Sequence, residues 1–192
     1  MINRYFYFNF LRKTYVVCRK KSRQILGLDD SPESIARGVA IGLFIAFTPT
    51  IPLQMVLSIL FAFILKANKT AAIVPAWVTN PLTAPPIFYL EYITGAYILR
   101  YDLLSKEDFL KYANKVFEFS LFQPSELYQQ VAELFKESWG QLGYPMIVGS
   151  MIWAIIISIS FYFITLKTVI KRRKRKEEKK RLRRAAKQDE TN

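Results

Sequence analysis

The chain has 192 residues, 52% of them apolar and 15% aromatic, and 28 Lys and Arg stand against 15 Asp and Glu; that length fits one compact unit rather than two large domains. With no His and only Cys18, imidazole catalysis, His-ligated metals, Cys clusters and an intrachain disulfide are excluded, and no Gly-rich phosphate loop occurs. Charge is segregated: residues 1–28 sum to +7, 29–99 to −1, 100–143 to −2, 144–170 to +1 and 171–192 to +8.

Residues 1–29 read as a basic, aromatic cytoplasmic arm. Tyr5-Phe6-Tyr7-Phe8 and Phe10 sit beside Arg4, Arg12 and Lys13, a mixture suited to a lipid headgroup layer. Those cations also interrupt the apolar run, so no cleavable signal peptide is expected. Ser31-Pro32-Glu33 then predicts a helix start, with Pro at the first helical position.

A membrane domain is predicted over residues 30–170, with apolar segments 36–66, 70–99 and 144–166. Residues 38–65 hold no charge, 144–166 hold none, and 70–99 hold only Glu91. About 20 apolar residues span the ~30 Å hydrocarbon core of a bilayer. In the first segment, Thr48-Pro49-Thr50-Ile51-Pro52 should end a helix, because each Pro removes a hydrogen bond and restricts the residue before it. The flanking arms, 38–47 and 53–65, are then too short to cross singly. Gly38 and Gly42 have the small-xxx-small spacing that permits close helix packing. The second segment repeats the design, with arms at 71–79 and 87–99 around Asn80-Pro81-Leu82-Thr83-Ala84-Pro85-Pro86. Adjacent Pro-interrupted segments point to broken helices; two kinked spanning helices are the alternative.

Residues 100–143 are amphipathic. Ser105-Lys106-Glu107-Asp108 predicts one helix start and Gln123-Pro124-Ser125-Glu126 a second, giving two surface helices. Residues 144–166 predict a C-terminal transmembrane helix with Pro145 in its first turn. Residues 171–192 form a basic tail, and Lys171, Arg172, Arg173, Lys174, Arg175 and Lys176 are candidates for anionic phospholipid headgroups. Lipid ranks above nucleic acid here, and no nucleic-acid partner is expected. The predicted fold class is therefore an all-α integral membrane protein: two Pro-broken, re-entrant or kinked hairpins, two surface amphipathic helices and one C-terminal transmembrane helix.

Basic segments face the cytoplasm, which places both termini inside and 100–143 outside, so the crossings are even in number. In the preferred solution 36–66 is re-entrant from the cytoplasm, 70–99 crosses outward and 144–166 returns, leaving Lys66 and Lys69 inside. A competing solution makes the second segment re-entrant from outside.

Irregular backbone at membrane depth must be buried in protein or line a wet cavity. The two breaks should therefore face each other or a polar pocket. Thr48, Pro49, Thr50, Pro52, Gln54, Asn80, Pro81 and Thr83 are the candidate ligand-binding residues, with Thr79 supplying a further hydroxyl; these polar groups could equally serve only to satisfy the broken backbone. Glu91 joins them as an intramembrane acid, and Arg37 is a candidate partner for it. No catalytic residue, metal site or cofactor is expected.

Certain runs resemble a bacterial membrane family, domain of unknown function 2062. They are Ser34-Ile-Ala-Arg37-Gly-Val-Ala-Ile-Gly-Leu-Phe44, Pro49-Thr-Ile-Pro52-Leu-Gln54-Met55, Trp77-Val-Thr-Asn80-Pro-Leu-Thr-Ala-Pro-Pro-Ile-Phe88-Tyr89, and Gly95. The resemblance covers about residues 30–166 and implies a bacterial inner-membrane protein with no established activity. In architecture the broken hairpins are also similar to the DedA group, linked to lipid-carrier translocation. Two functions follow as expectations. One is a small transporter or lipid-translocating protein with its site at the facing breaks. The other is a non-catalytic scaffold or assembly factor recruited through the basic termini. The bilayer is the expected partner, and a homo-oligomer is plausible because three segments enclose little interior.

Overall fold

The computed structural model describes residues 24–50, 53–79, 83–105, 107–109 and 142–189. Among the described residues the helices in chain order are α1 (Pro32–Ala46), α2 (Gln54–Ile64), α3 (Lys69–Ala76), α4 (Ala84–Leu99) and α5 (Tyr144–Asp189). The described residues are all helix, turn and loop, with no strand. The N-terminal arm and nearly all of the amphipathic region after Phe109 lie outside the described residues, as do Pro52, Asn80 and Pro81.

Local chemistry explains the helix ends. The Ser31 hydroxyl accepts from the Ser34 N–H at 3.1 Å, capping α1 with Pro32 in its first turn. α1 begins before the uncharged run because a helix face can carry Glu33 and Arg37 at its exposed edge. The predicted cap at Ser105 is also formed, its hydroxyl accepting from the Asp108 N–H at 3.1 Å. α2 ends at Ile64, and Lys66 just beyond it takes a left-handed φ of 49°, so that the Ala67 N–H reaches the Ala62 carbonyl at 2.8 Å. That sharp reversal leads straight into α3, whose cap is the Asn68 side chain accepting from the Ala71 N–H at 2.9 Å.

The second break is narrower than the sequence predicts. Pro85 and Pro86 do not extend the loop; they lie in the first turn of α4, where a missing N–H leaves no helix bond unmade. Pro145 occupies the same kind of position in α5. α5 does not end with its apolar part: it continues unbroken through the basic tail for 46 residues in all.

α1 packs on α5 and α3, α2 packs on α1 and α3, and α4 packs on α5. Ile35, Val39 and Leu43 of α1 meet Ala71 and Val169, with Ile157 alongside. Phe88 and Tyr92 of α4 meet Phe109 and Leu142. The Tyr92 hydroxyl also accepts from the Leu104 N–H at 3.0 Å, tying down the chain after α4.

The helices are apolar on the outside. In α2 the buried face is Gln54, Ser58 and Ala62, whereas Val56, Ile59, Leu60, Phe61, Phe63 and Ile64 are exposed. Ser58 is 0% exposed and Phe63 67%. In α5 the buried stripe is Ser150, Ala154, Ser158, Thr165 and Val169, and its outer surface carries Ile155, Ile156, Ile159, Phe161, Phe163 and Ile164.

Candidate functional site

One side chain links the first break to Thr79, the residue before the second. Gln54 opens α2 and is buried; its Nε2 donates to the carbonyl of Ala46, the last residue of α1, at 3.5 Å and to that of Thr48, which also accepts from the Thr50 N–H, at 3.3 Å. Its Oε1 accepts from the Thr79 hydroxyl at 2.9 Å, across from the second break. Thr48 Oγ1 donates to the Ile45 carbonyl at 2.7 Å and lies 3.1 Å from Thr50 Oγ1. Thr83 Oγ1 donates to the Val78 carbonyl. Pro49 is exposed on the turn. The hydroxyl and amide groups of Thr48, Gln54, Thr79 and Thr83 are thus occupied in closing the broken backbone. Gln54→Ala should strand the Thr79 hydroxyl and the Ala46 carbonyl, while the Thr48 carbonyl keeps the Thr50 N–H, lowering stability by about 2 kcal/mol. Thermal melting in detergent measures this, and a Thr79→Val partner variant should show coupling rather than additivity.

Glu91 is different. It lies in the second turn of α4 and is 1% exposed, and among the described residues neither Oε1 nor Oε2 has a hydrogen-bond partner. Arg37 is not brought to it; that guanidinium is exposed and donates to the Lys66 carbonyl at 3.1 Å. The helix carrying Glu91 is pressed against α5 by two glycines. A Cβ on Gly95 would overlap the Pro145 carbonyl and lie 2.9 Å from the Gly149 nitrogen. A Cβ on Gly149 would overlap the Glu91 carbonyl, 2.7 Å from its carbon. Trp153 Nε1 donates to Thr94 Oγ1 at 3.0 Å on the same seam.

A third polar group gathers where α1 starts, α3 starts and α5 leaves its apolar part. Asp30 Oδ2 accepts from Asn68 Nδ2 at 3.0 Å and Ser34 Oγ at 2.9 Å, and Oδ1 accepts from the Ser31 N–H at 2.7 Å. Arg173 donates to the carbonyls of Leu28, at 3.1 Å, and of Asp30. Of the six predicted headgroup residues, Arg173 therefore turns to the protein, while Lys171, Lys174, Arg175 and Lys176 are exposed and Arg172 is half-buried.

Hydrogen bonds from Asn68, Ser34 and the Ser31 N–H hold the Asp30 carboxyl below its ordinary pKa. A lowered folded-state pKa contributes stability that is present above the unfolded value, about 3.9, and lost as pH falls through the folded value. The stability gap between the wild type and Asp30→Asn should therefore shrink as melting curves are taken to pH values below about 4.

Residues 17–178 match the family described as "Uncharacterized protein conserved in bacteria (DUF2062)". The chain belongs to that family. Neither a curated protein nor a solved structure matches the chain. The DUF2062 match is wider than the expected 30–166, adding residues 17–29 and 167–178, Arg173 among them. Among the described residues no group of acids or Cys is arranged to hold a metal ion, and α5 is the one helix long and apolar enough to cross a membrane.

Sequence reasoning passed over Gly149, Asp30 and Asn68. An isolated Gly within an apolar run is weak evidence of a crossing until the opposing Gly95 is known. Asp30 and Asn68 read as ordinary loop residues, although an Asn beside Lys69 was a visible cap signal for α3.

Proposed function

We propose that this DUF2062 chain is a multi-pass protein of the bacterial inner membrane, acting as a small transporter or lipid-translocating protein with its working group at Glu91. The membrane reading is supported by helices that bury Ser, Ala and Gln and expose Ile, Phe and Leu. Water does not tolerate so large an apolar surface on a monomer, whereas lipid-facing helices carry their small and polar residues at the helix–helix contacts.

Helix lengths favour the preferred topology. α1 and α2 have 15 and 11 residues, about 22 and 16 Å of rise against a hydrocarbon core of about 30 Å. The Asn68 N–H donates to the Ser34 carbonyl at 3.1 Å, so the end of this pair returns to its beginning. We read it as re-entrant from the cytoplasm, with α3 and α4 crossing together and α5 returning.

The observation that carries the transport reading is the unpartnered Glu91 carboxyl. A buried polar group without partners costs folding free energy, and its persistence at membrane depth marks a functional site. Its oxygens offer acceptors, so the cargo it suits presents N–H or O–H donors: an amine- or hydroxyl-bearing solute, or a lipid headgroup of that kind. The test is reconstitution with acyl-labelled phosphatidylethanolamine or phosphatidylglycerol, following label loss to an impermeant reductant, and in parallel with a lumenal pH dye. The wild type should speed one of the two signals at least tenfold over empty vesicles, and Glu91→Gln should abolish the gain. Equal rates for wild type, variant and empty vesicles would overturn the reading.

A further inference from the structure

Lys171–Lys176 are the tail residues nearest the apolar run and suit headgroups; the basic stretch beyond them stands farther out. α5 runs without interruption from Tyr144 to Asp189, and Arg173 fastens it to the carbonyls of Leu28 and Asp30. Lys167 is the first charge after the apolar run. Lys179, 12 residues further on, lies about 18 Å along the helix axis. Electrostatic attraction fades over about 8 Å at physiological salt, so headgroups near Lys167 act weakly at Lys179 and beyond.

Five of the six residues from 179 to 184 are basic: Lys179, Lys180, Arg181, Arg183 and Arg184, all exposed. At 3.6 residues per turn they fill an arc of about 200° around the helix. Glu178, Leu182, Ala185 and Ala186 occupy the remaining side. A flat anionic bilayer meets one side of a helix lying on it and holds it there through an apolar face. One Leu and two Ala beside Glu178 make a poor apolar face, and an arc this wide cannot all touch a plane. A groove with phosphates on both walls meets it on two sides.

The major groove of B-form DNA, about 12 Å wide, admits an α-helix. Its phosphates carry one charge per roughly 1.7 Å of axis, and the five cations here span about 7.5 Å. We propose that residues 179–184 are a sequence-independent docking surface for double-stranded DNA, held off the membrane by the continuous α5. This stretch lies past residue 178, where the family match ends.

The full chain in phosphatidylcholine nanodiscs, titrated against a fluorescent DNA duplex at several salt concentrations, tests the proposal. Neutralising five phosphate contacts predicts a log–log salt slope of about −4 to −5. Changing Lys179, Lys180, Arg181, Arg183 and Arg184 together to Gln should weaken binding at least tenfold and flatten the slope, with an unchanged melting temperature. Duplex RNA, whose major groove is too narrow for a helix, should bind at least tenfold more weakly than DNA. Unchanged binding by the variant, or RNA binding as tight as DNA, would overturn the proposal. So would loss of maleimide reactivity of Arg184→Cys, in a Cys18→Ser background, on adding phosphatidylglycerol vesicles, because the helix would then lie on the membrane.

Discussion

A Gly95→Leu chain is expected not to fold. Overpacking a core costs about 1–3 kcal/mol where side chains can give way. Here the obstacle is the Pro145 carbonyl, with the Gly149 nitrogen close behind, and backbone yields only if α4 and α5 part along their whole seam. Parting them uncovers Glu91, Tyr92 and Ala96 and breaks the bond between Trp153 and Thr94. The cost should exceed about 4 kcal/mol, in the range reached by few single substitutions and close to the entire stability of a small domain. Gly95→Ala should be folded but clearly destabilised. Gly149→Leu should match Gly95→Leu, and the double variant should be no worse than either, because both act on one contact. Size-exclusion profiles and melting temperatures of detergent-solubilised protein decide this. A Gly95→Leu chain melting within a few degrees of the wild type would contradict the close approach.

Glu91→Lys should be nearly as damaging, and Glu91→Gln should not. Lysine is longer than the residue it replaces and brings an ammonium into a buried site shaped for a shorter side chain. The 144–166 face of α5 offers no charge at all. A buried, unpaired charge costs roughly 3–5 kcal/mol, enough to reduce the folded yield severely. Glutamine keeps the shape and one of the two acceptors. Expression and melting of the three chains separate the packing role of this position from its chemistry: Gln near wild type and Lys collapsed is the expected pattern. If Gln also collapses, the carboxyl is held by the fold itself and the transport reading loses its main support.

Much of the local structure was legible in the residues. Ser31 and Ser105 announced helix starts, Pro49 a stop, and Pro145 a first turn. The spacing of Gly38 and Gly42 announced a close contact; it is made with α3, where a Cβ on Gly42 would lie 2.9 Å from the Ala72 carbonyl carbon. That polar groups would gather at the first break followed from backbone accounting, because carbonyls freed where a helix stops need donors. What the residues could not show was which donor would serve, and Gln54 takes on both sides of the junction. The Arg37–Glu91 pairing failed because Arg37 stands at the opposite end of the packed helices, where the Lys66 carbonyl, turned outward by a left-handed backbone, receives it. Contacts such as Arg173 to Leu28, 145 residues apart, leave no trace in local periodicity.

α5 carries its neighbours at different heights. Residues near Pro145 and Gly149 grip α4, while those near Ile157 and Val169 grip α1. Between these two cargoes of one mast runs the bond from Thr79 to Gln54. A bend of the mast would shear its upper passenger against its lower one, with that hydroxyl as the pivot.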